Sequence, residues 1–330
     1  MWFKDLTGFE EISFKNVQNN IIIDGENLIS KINDRSFQFG ELEIVSLEKL
    51  REKFVQPKTI QKIKVSEIVA DVQELHCDLN NRNSLFQAAS QFNLLEMVGP
   101  NVSPERGIDI YENDYTQGPA CAIACGAGTI FRNYFVPLKG NIGQTNSKQI
   151  NCLDDIGKEL NNETLELWKM SNGYALINQN GLLNINKQLS NLSKNEREHL
   201  KGKLKIGIQW DTEVTLVENK QIVSQIYCSA LPVAYSQIES HYWENFARII
   251  LEATYEATLH AAMINLNKGK SNKVFLTLVG GGAFGNDFDW IIESLIKAIE
   301  KFKSIPLDIK IVSYGRSNTL LKKAIEQFNR

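Results

Sequence analysis

The chain has 330 residues, enough to bury a sizeable core as one elaborated domain or two small ones, and the single-domain reading is favoured. Apolar residues make up 43% and charged residues 23%, close to ordinary globular usage, which excludes a disordered or fibrous architecture. Lys plus Arg total 36 against 39 Asp plus Glu, and the formal net charge of −3 gives no electrostatic reason to expect nucleic acid or an anionic membrane surface as a partner.

The first residues, MWFKDLTGFEEISF, carry acids and lack an apolar core behind a basic flank, so they do not read as a signal peptide. No stretch approaches the roughly eighteen uninterrupted apolar residues of a membrane helix. The five cysteines, Cys77, Cys121, Cys125, Cys152 and Cys228, fit free thiols in a reducing compartment better than a disulfide framework, and a cytoplasmic location is expected. Cys121 and Cys125 could pair on a metal, but with only four histidines and no second Cys/His pair nearby they read as buried thiols, and no metal ligand is assigned.

In chain order, residues 1–60 alternate short apolar runs (Ile21 to Ile23, Leu42 to Val45) with turn residues and then give a helix-like stretch from Ser46 to Phe54. This is a small α/β extension, with a core at 61–330. The segment QKIKVSEIVADVQELH (61–76) reads as a β-branched strand ending at Asp71-Val72. Ser84 to Ala89 is a short apolar run followed by Ser90, Gln91 and Asn93, as expected where a buried strand delivers polar residues to its carboxyl end. A loop with Gly99-Pro100 and Pro104 leads into the small-residue stretch ACAIACGAGTIFRNYF. Residues 139–220, dense in Asn, Gln, Lys and Gly, look like an insertion with short strands around Tyr174 to Ile177 and Ile206 to Trp210. The last third regains an α/β rhythm: strand IVSQIYCSALPVAY, helix Trp243 to Leu266, strand KVFLTLV, a glycine turn, helix Asp287 to Phe302, strand DIKIVSY and a closing helix. Such alternation argues for a mainly parallel sheet with helices on both faces.

The strongest local signal is VFLTLVGGGAFGN (274–286), a buried strand opening into glycines ahead of a helix that begins near Asp287. That order offers bare backbone N–H groups and a helix N-terminus to an anion, for which phosphate is the natural occupant. It lacks the Lys and Ser/Thr of a Walker loop and does not lie at the chain's first βα turn. The bland alternative, a turn needed only for tight strand–helix packing, stands at even odds.

Gly282-Ala283-Phe284-Gly285 resembles the Gly-x-Tyr/Phe-Gly turn of the macrodomains, which wraps the diphosphate of ADP-ribose. Ala70-Asp71-Val72 is similar to that family's Gly-Asp-Ile strand, FQAASQFN (86–93) to its Asn-Ala-Ala-Asn strand, and IYCSALP (226–232) to its His-x-Val-Gly-Pro strand. The likeness runs from about Val65 to Tyr314, apart from the insertion. QFNLLEMVGPNVSPERGIDIYENDYTQGPACAIACGAGTIFRNYF, with VSQIYCSALPVAY and QWDTEV, further resembles a divergent branch typified by bacterial effectors and eukaryotic relatives that remove ADP-ribose from an arginine of ubiquitin. The ordinary first glycine loop is replaced by EMVGPNVSPERG, and the paired glutamates of poly(ADP-ribose) glycohydrolases are not adjacent, so the catalytic apparatus must differ.

The resemblance implies a three-layer α/β/α macrodomain-like mixed sheet that binds ADP-ribose and cleaves it from a modified protein, ubiquitin being the partner suggested. It implies that Asp71 and Val72 meet the adenine, that Gln91 and Asn93 lie toward the distal ribose, and that Gly280, Gly281, Gly282, Ala283, Gly285 and Asn286 form the phosphate loop with Phe284 against that ribose. No cofactor is required by it, with ADP-ribose as ligand and product and a part for Mg²⁺ left open.

Hydrolysis of an N-glycosidic bond to a guanidinium passes through an oxocarbenium-like centre and needs loop carboxylates near the ribose. The candidates are Glu96, Asp109, Glu112 and Asp114 on the first loop and Asp211 and Glu213 in QWDTEV. Any one of them alone is most often a solvated surface group. Asp114 leads, because Tyr115 to Pro119 follow it just before a probable helix, where backbone amides can fix a carboxylate. Asp211 and Glu213, two apart on a strand, would share one face and could grip a guanidinium, against the alternative of a wet edge strand. Arg132 could satisfy buried carbonyls, and no histidine is assigned a role. A reader that binds ADP-ribose without cleaving it, and a scaffold whose insertion contacts a partner, are the competing functions.

Overall fold

The computed structural model describes residues 1–55 and 61–330. Its centre is a seven-stranded sheet. The strands in chain order are β1 (Glu41–Ser46), β2 (Lys64–Val69), β3 (Leu85–Ala89), β4 (Lys205–Glu213), β5 (Ile222–Cys228), β6 (Lys273–Leu276) and β7 (Asp308–Ser313). They lie side by side as β1-β4-β5-β3-β6-β7-β2. From β5 to β2 every pair is parallel, while β4 runs antiparallel to both its neighbours.

Helices cover both faces, and β3 shows it directly. Phe86 stacks on His76 of helix α1 (Val72–Cys77) with ring centroids 3.8 Å apart. The next residue, Gln87, donates from Nε2 to Thr258 Oγ1, 2.8 Å away, on helix α3 (Glu244–Asn267), and successive strand residues point to opposite faces. Helix α2 (Gln117–Ala124) lies beside α1, and α4 (Phe288–Lys301) beside α3. The expected three-layer mixed sheet is the architecture found. Burial on both faces is why VFL, and LFQAA apart from Gln87, read as short apolar runs. Among the described residues, no helix is long and apolar enough to cross a membrane.

Two boundaries differ from expectation. The division expected at residue 60 falls outside the described residues. Residues 41–46 are an edge strand of the central sheet, and Leu47 and Leu50 of the helix behind it belong to the main core. The rest of the extension, with a three-stranded sheet of Ile21–Asp24, Asn27–Ser30 and Ser36–Gln38, builds a second core with the segment that follows β3. There Phe3, Leu6, Val17 and Phe37 share an interior with Leu95, Met97, Ile108, Tyr111 and Tyr134.

The insertion, expected to run to residue 220, ends before β4, which is an interior strand with Ile206, Ile208 and Trp210 all buried. The polar helices Gln179–Ser190 and Lys194–Gly202 ahead of it, and the charges at its end, made this strand look peripheral.

Candidate active site

The carboxyl ends of all five parallel strands open into one cleft with two lobes, as expected for an open α/β sheet. The first lobe, a cavity of about 220 Å³, is walled by Ala89 to Gln91 after β3, Ala230 after β5, Thr277 to Gly280 after β6, and the turn to Phe284. The second, of about 520 Å³, is walled by Ala70 to Gln73 after β2, Val312 and Tyr314 at the end of β7, Tyr115 and Trp2. Asp114, Thr116, Gln117 and Thr277 line both and so mark the junction.

The glycine turn folds as an amide cradle. Gly280 and Gly285 sit at φ +82° and +66°, where a Cβ would also meet Ala230 Cβ at 2.5 Å and Ala234 Cβ at 2.8 Å, so both are glycine for conformation and for space. Gly281 N–H is spent on Leu278 O, Gly285 N–H on Gly282 O, and Asn286 N–H on Gly280 O. Asn286 Nδ2 ties the turn to Leu231 O at 2.8 Å. Gly281, Gly285 and Asn286 therefore shape the loop and offer no N–H to a ligand. The N–H groups of Gly280, Gly282, Ala283 and Phe284 donate to nothing among the described residues. A Cβ on Gly282 would meet no atom within 4 Å, because that position faces the cavity. The N-terminus of α4 is already capped by Asp287, whose carboxylate accepts from Asp289 N–H at 2.8 Å, so the anion-binding capacity lies in the loop rather than in the helix end.

At the other end of the first lobe stands Glu96. It is 2% exposed, lines the cavity, and has no hydrogen-bond partner on either carboxyl oxygen among the described residues. Burial pushes its carboxyl up to about 8; Arg132 and the Tyr111 hydroxyl pull it down, and the charge of Asp114 adds to the rise. Burial thus favours the protonated form of Glu96. Its loop is rigidly closed: the Gln91 side-chain amide pairs with both backbone groups of Met97, accepting at 2.9 Å and donating at 3.2 Å. Arg132, fully buried, donates to Leu94 O at 3.1 Å, as expected, and lies over the Tyr227 ring at 3.5 Å. Asp114, half-exposed, has Oδ1 fixed by Thr116 N–H at 2.9 Å.

The proton on Glu96 has a measurable consequence. The folded chain keeps it up to about pH 8, while the unfolded chain releases it near 4.5, so between those values the unfolded state binds fewer protons and stability falls as pH rises. Glu96→Gln should remove that component. Denaturant unfolding at about pH 5 and about pH 8 should show the variant gaining on the unmutated protein by a few kcal/mol at the higher pH. An equal pH dependence in both proteins would place an ionised carboxylate at this position.

Asp71 and Val72 line the second lobe. Asp71 Oδ1 caps α1 by accepting Gln73 N–H at 2.7 Å, so the strand ends at Val69 and not at Asp71-Val72. Gln91 and Phe284 line the first lobe. Asn93 does not: it is fully buried, donating to Gln149 Oε1 at 2.9 Å and accepting from Leu95 N–H, because the chain turns down after Phe92. Glu112 reaches only the rim of the second lobe, where it accepts Trp2 N–H at 3.2 Å. Asp109 faces the N-terminal extension and pairs with Arg106 at 3.2 Å.

Asp211 and Glu213 are at the opposite end of the sheet. Because β4 is antiparallel, its last residues lie beside Ile222, the first of β5, while the cleft lies beyond Cys228, the last. The pair does not share a face either: a bulge between Gln209 and Thr212 puts Asp211 at φ +56°. Asp211 then pairs with Lys270, and buried Glu213 accepts Gln38 N–H at 3.0 Å.

Sequence reasoning missed four groups. Gln117 lines both lobes and extends β3 like a further strand residue, accepting Ala89 N–H at 2.9 Å and donating to Gln87 O at 2.7 Å. Tyr174 and Tyr235 close the first lobe against Phe284, with ring centroids 5.2 and 5.7 Å from it. Tyr174 arrives on the insertion's hairpin, and nothing in its local sequence points to the cleft. Trp2, from the extension, donates Nε1–H to Ile108 O at 3.3 Å and walls the second lobe.

No family model and no curated protein matches the chain. Among solved structures it is similar to the poly(ADP-ribose) glycohydrolase from Thermomonospora curvata, at 11% identity over 95% of each chain with a TM-score of 0.46. The same enzyme bound to the inhibitor ADP-HPD gives 10% identity over 96% of this chain and 95% of that one, with a TM-score of 0.44. The poly(ADP-ribose) glycohydrolase from Deinococcus radiodurans in complex with ADP-ribose gives 9% identity over 87% and 93%, with a TM-score of 0.45. At such identities and TM-scores no residue role is carried over from these enzymes to this chain.

Proposed function

We propose that the cleft binds ADP-ribose, with the adenosine in the lobe of Asp71 and Tyr314, the diphosphate on the free amides of the glycine turn, and the distal ribose between Phe284, Gln91 and the two acids. In this reading the protein hydrolyses the bond joining that ribose to a protein side chain, arginine on ubiquitin being the acceptor to which the sequence resemblance points. The observation that carries it is Glu96: a buried, unpartnered carboxyl facing the same cavity as Asp114 and the amide cradle. Buried polar groups without partners are rare and concentrate where a ligand supplies the missing bond.

The two acids divide the chemistry. As the C1″–N bond of the distal ribose breaks, its electrons pass to the departing guanidine, which takes the proton of Glu96, while Asp114 stabilises the oxocarbenium-like centre and accepts a proton from the attacking water. Water's oxygen ends on C1″, and proton exchange with solvent restores both acids.

The test is twofold. Saturating ADP-ribose should raise the melting temperature by mass action. Ubiquitin carrying ADP-ribose on arginine should release free ADP-ribose, with glutamate- and serine-linked substrates run beside it. Absence of any thermal or calorimetric signal with ADP-ribose overturns the binding reading; binding without release from any linkage leaves the reader.

A further inference from the structure

Besides the shared core and the bonds of Trp2, the N-terminal extension holds the loop that carries the two acids through a carboxylate. Glu11 reaches across to residues 107–109, where its Oε2 accepts the N–H of Ile108 at 2.7 Å and of Asp109 at 2.6 Å, and its Oε1 accepts the Tyr134 hydroxyl. Gly107 turns over this carboxylate at φ +96°, where a Cβ would fall 2.5 Å from Oε2, so only glycine lets the loop close on it. Burial pushes the Glu11 carboxyl up to about 7, and the Tyr134, Asp109 and Ile108 donors pull it back toward the ionised form they bind.

The pinned segment leads to both acids. Tyr111, fully buried, accepts the N–H of Glu96 on its hydroxyl at 2.9 Å. Asp114 N–H donates to Tyr111 O at 3.1 Å. A displacement of the turn at Ile108–Asp109 would therefore move Tyr111, and with it the backbone of Glu96 and the start of the Asp114 loop. Two adjacent backbone amides converging on one carboxyl oxygen fix the turn between them.

We propose that Glu11 is a positioning residue for the reaction: by pinning Ile108 and Asp109 it holds Tyr111, and through it Glu96 and Asp114, in the geometry from which the two acids act. This role rests on the hydrolase reading above. It concerns first the placement of the acids: neither Glu11 nor the residues it bonds line the two lobes of the cleft, while Tyr111 walls the second lobe from its buried side.

The experiment uses the full chain with Glu11→Gln, nearly isosteric, and Tyr134→Phe, which removes only the third donor. Amide hydrogen exchange is read at 107–114, ADP-ribose affinity by calorimetry, and kcat and KM on arginine-linked ADP-ribosyl ubiquitin. Glu11→Gln should exchange faster at Ile108 and Asp109, keep its ADP-ribose affinity within about two-fold, and lose roughly ten- to a hundred-fold in kcat at unchanged KM, the size expected for acids displaced by about an ångström. Tyr134→Phe should move the same readouts in the same direction by less. Unchanged exchange at 107–114, or faster exchange with unmutated kcat, overturns the role. A parallel loss of ADP-ribose affinity and kcat also overturns it, because that is what a merely structural residue would give. An unmutated protein that releases no ADP-ribose brings down the hydrolase reading and this role with it, whereas an active protein indifferent to Glu11→Gln brings down this role alone.

Discussion

Glu96→Gln is expected to lower kcat on arginine-linked ADP-ribosyl ubiquitin by roughly 10²–10⁴-fold, the usual contribution of a positioned general acid, while ADP-ribose binds almost as before. The amide keeps the shape of the carboxyl but cannot give up a proton, and the free amides proposed to hold the diphosphate belong to other residues. Asp114→Ala should give a loss of similar size for a different reason, the missing stabilisation and proton acceptor opposite the leaving group. Because the two act in one step, the double variant should be little slower than either single one. Calorimetry with ADP-ribose and steady-state release assays on the same preparations separate the cases. Near-normal turnover in both single variants would remove these acids from the mechanism. A loss confined to Asp114→Ala would leave Glu96 as a buried structural acid.

Gly282→Val should abolish ADP-ribose binding, by about a hundred-fold or more, in a protein that still folds. The fold is expected to survive because a Cβ there meets no protein atom within 4 Å and the residue's φ lies outside the left-handed region. Binding is expected to fail because the isopropyl group would stand where phosphate must approach the free N–H groups of Gly282, Ala283 and Phe284. Two lost hydrogen bonds to a charged group are worth about 3–6 kcal/mol together, and the blocked approach adds to that. Gly280→Val and Gly285→Val make the useful contrast, since at those positions backbone conformation and the neighbouring Ala230 and Ala234 oppose any side chain and unfolding should accompany the loss. Unchanged affinity in folded Gly282→Val would take phosphate off this loop.

The sequence by itself determined what depends on local pattern. Short apolar runs at LFQAA, interrupted only by Gln87, and at VFL marked the buried parallel strands, the glycine cluster marked where backbone amides are left bare, and Ala70-Asp71-Val72 marked a second wall of the same cleft. Each of these is a property of a few consecutive residues at the carboxyl end of a strand, and parallel strands bring such ends together whatever joins them.

Only the tertiary structure decided which acids line the cleft. Asp211 and Glu213 read as a pair on one face, but the antiparallel course of β4 carries them to the far end of the sheet, and a bulge separates their directions. Asp109 and Asn93 lie within a few residues of cleft-lining positions, yet one faces the extension and the other is buried under the loop. Glu96, ranked below Asp114 in the sequence, owes its raised carboxyl to burial, which outweighs the opposing pull of Arg132 and Tyr111 and which its own stretch of sequence does not show. Strand direction, register and long-range burial are set by which segments pair, and pairing is a property of the whole chain that no window of residues contains.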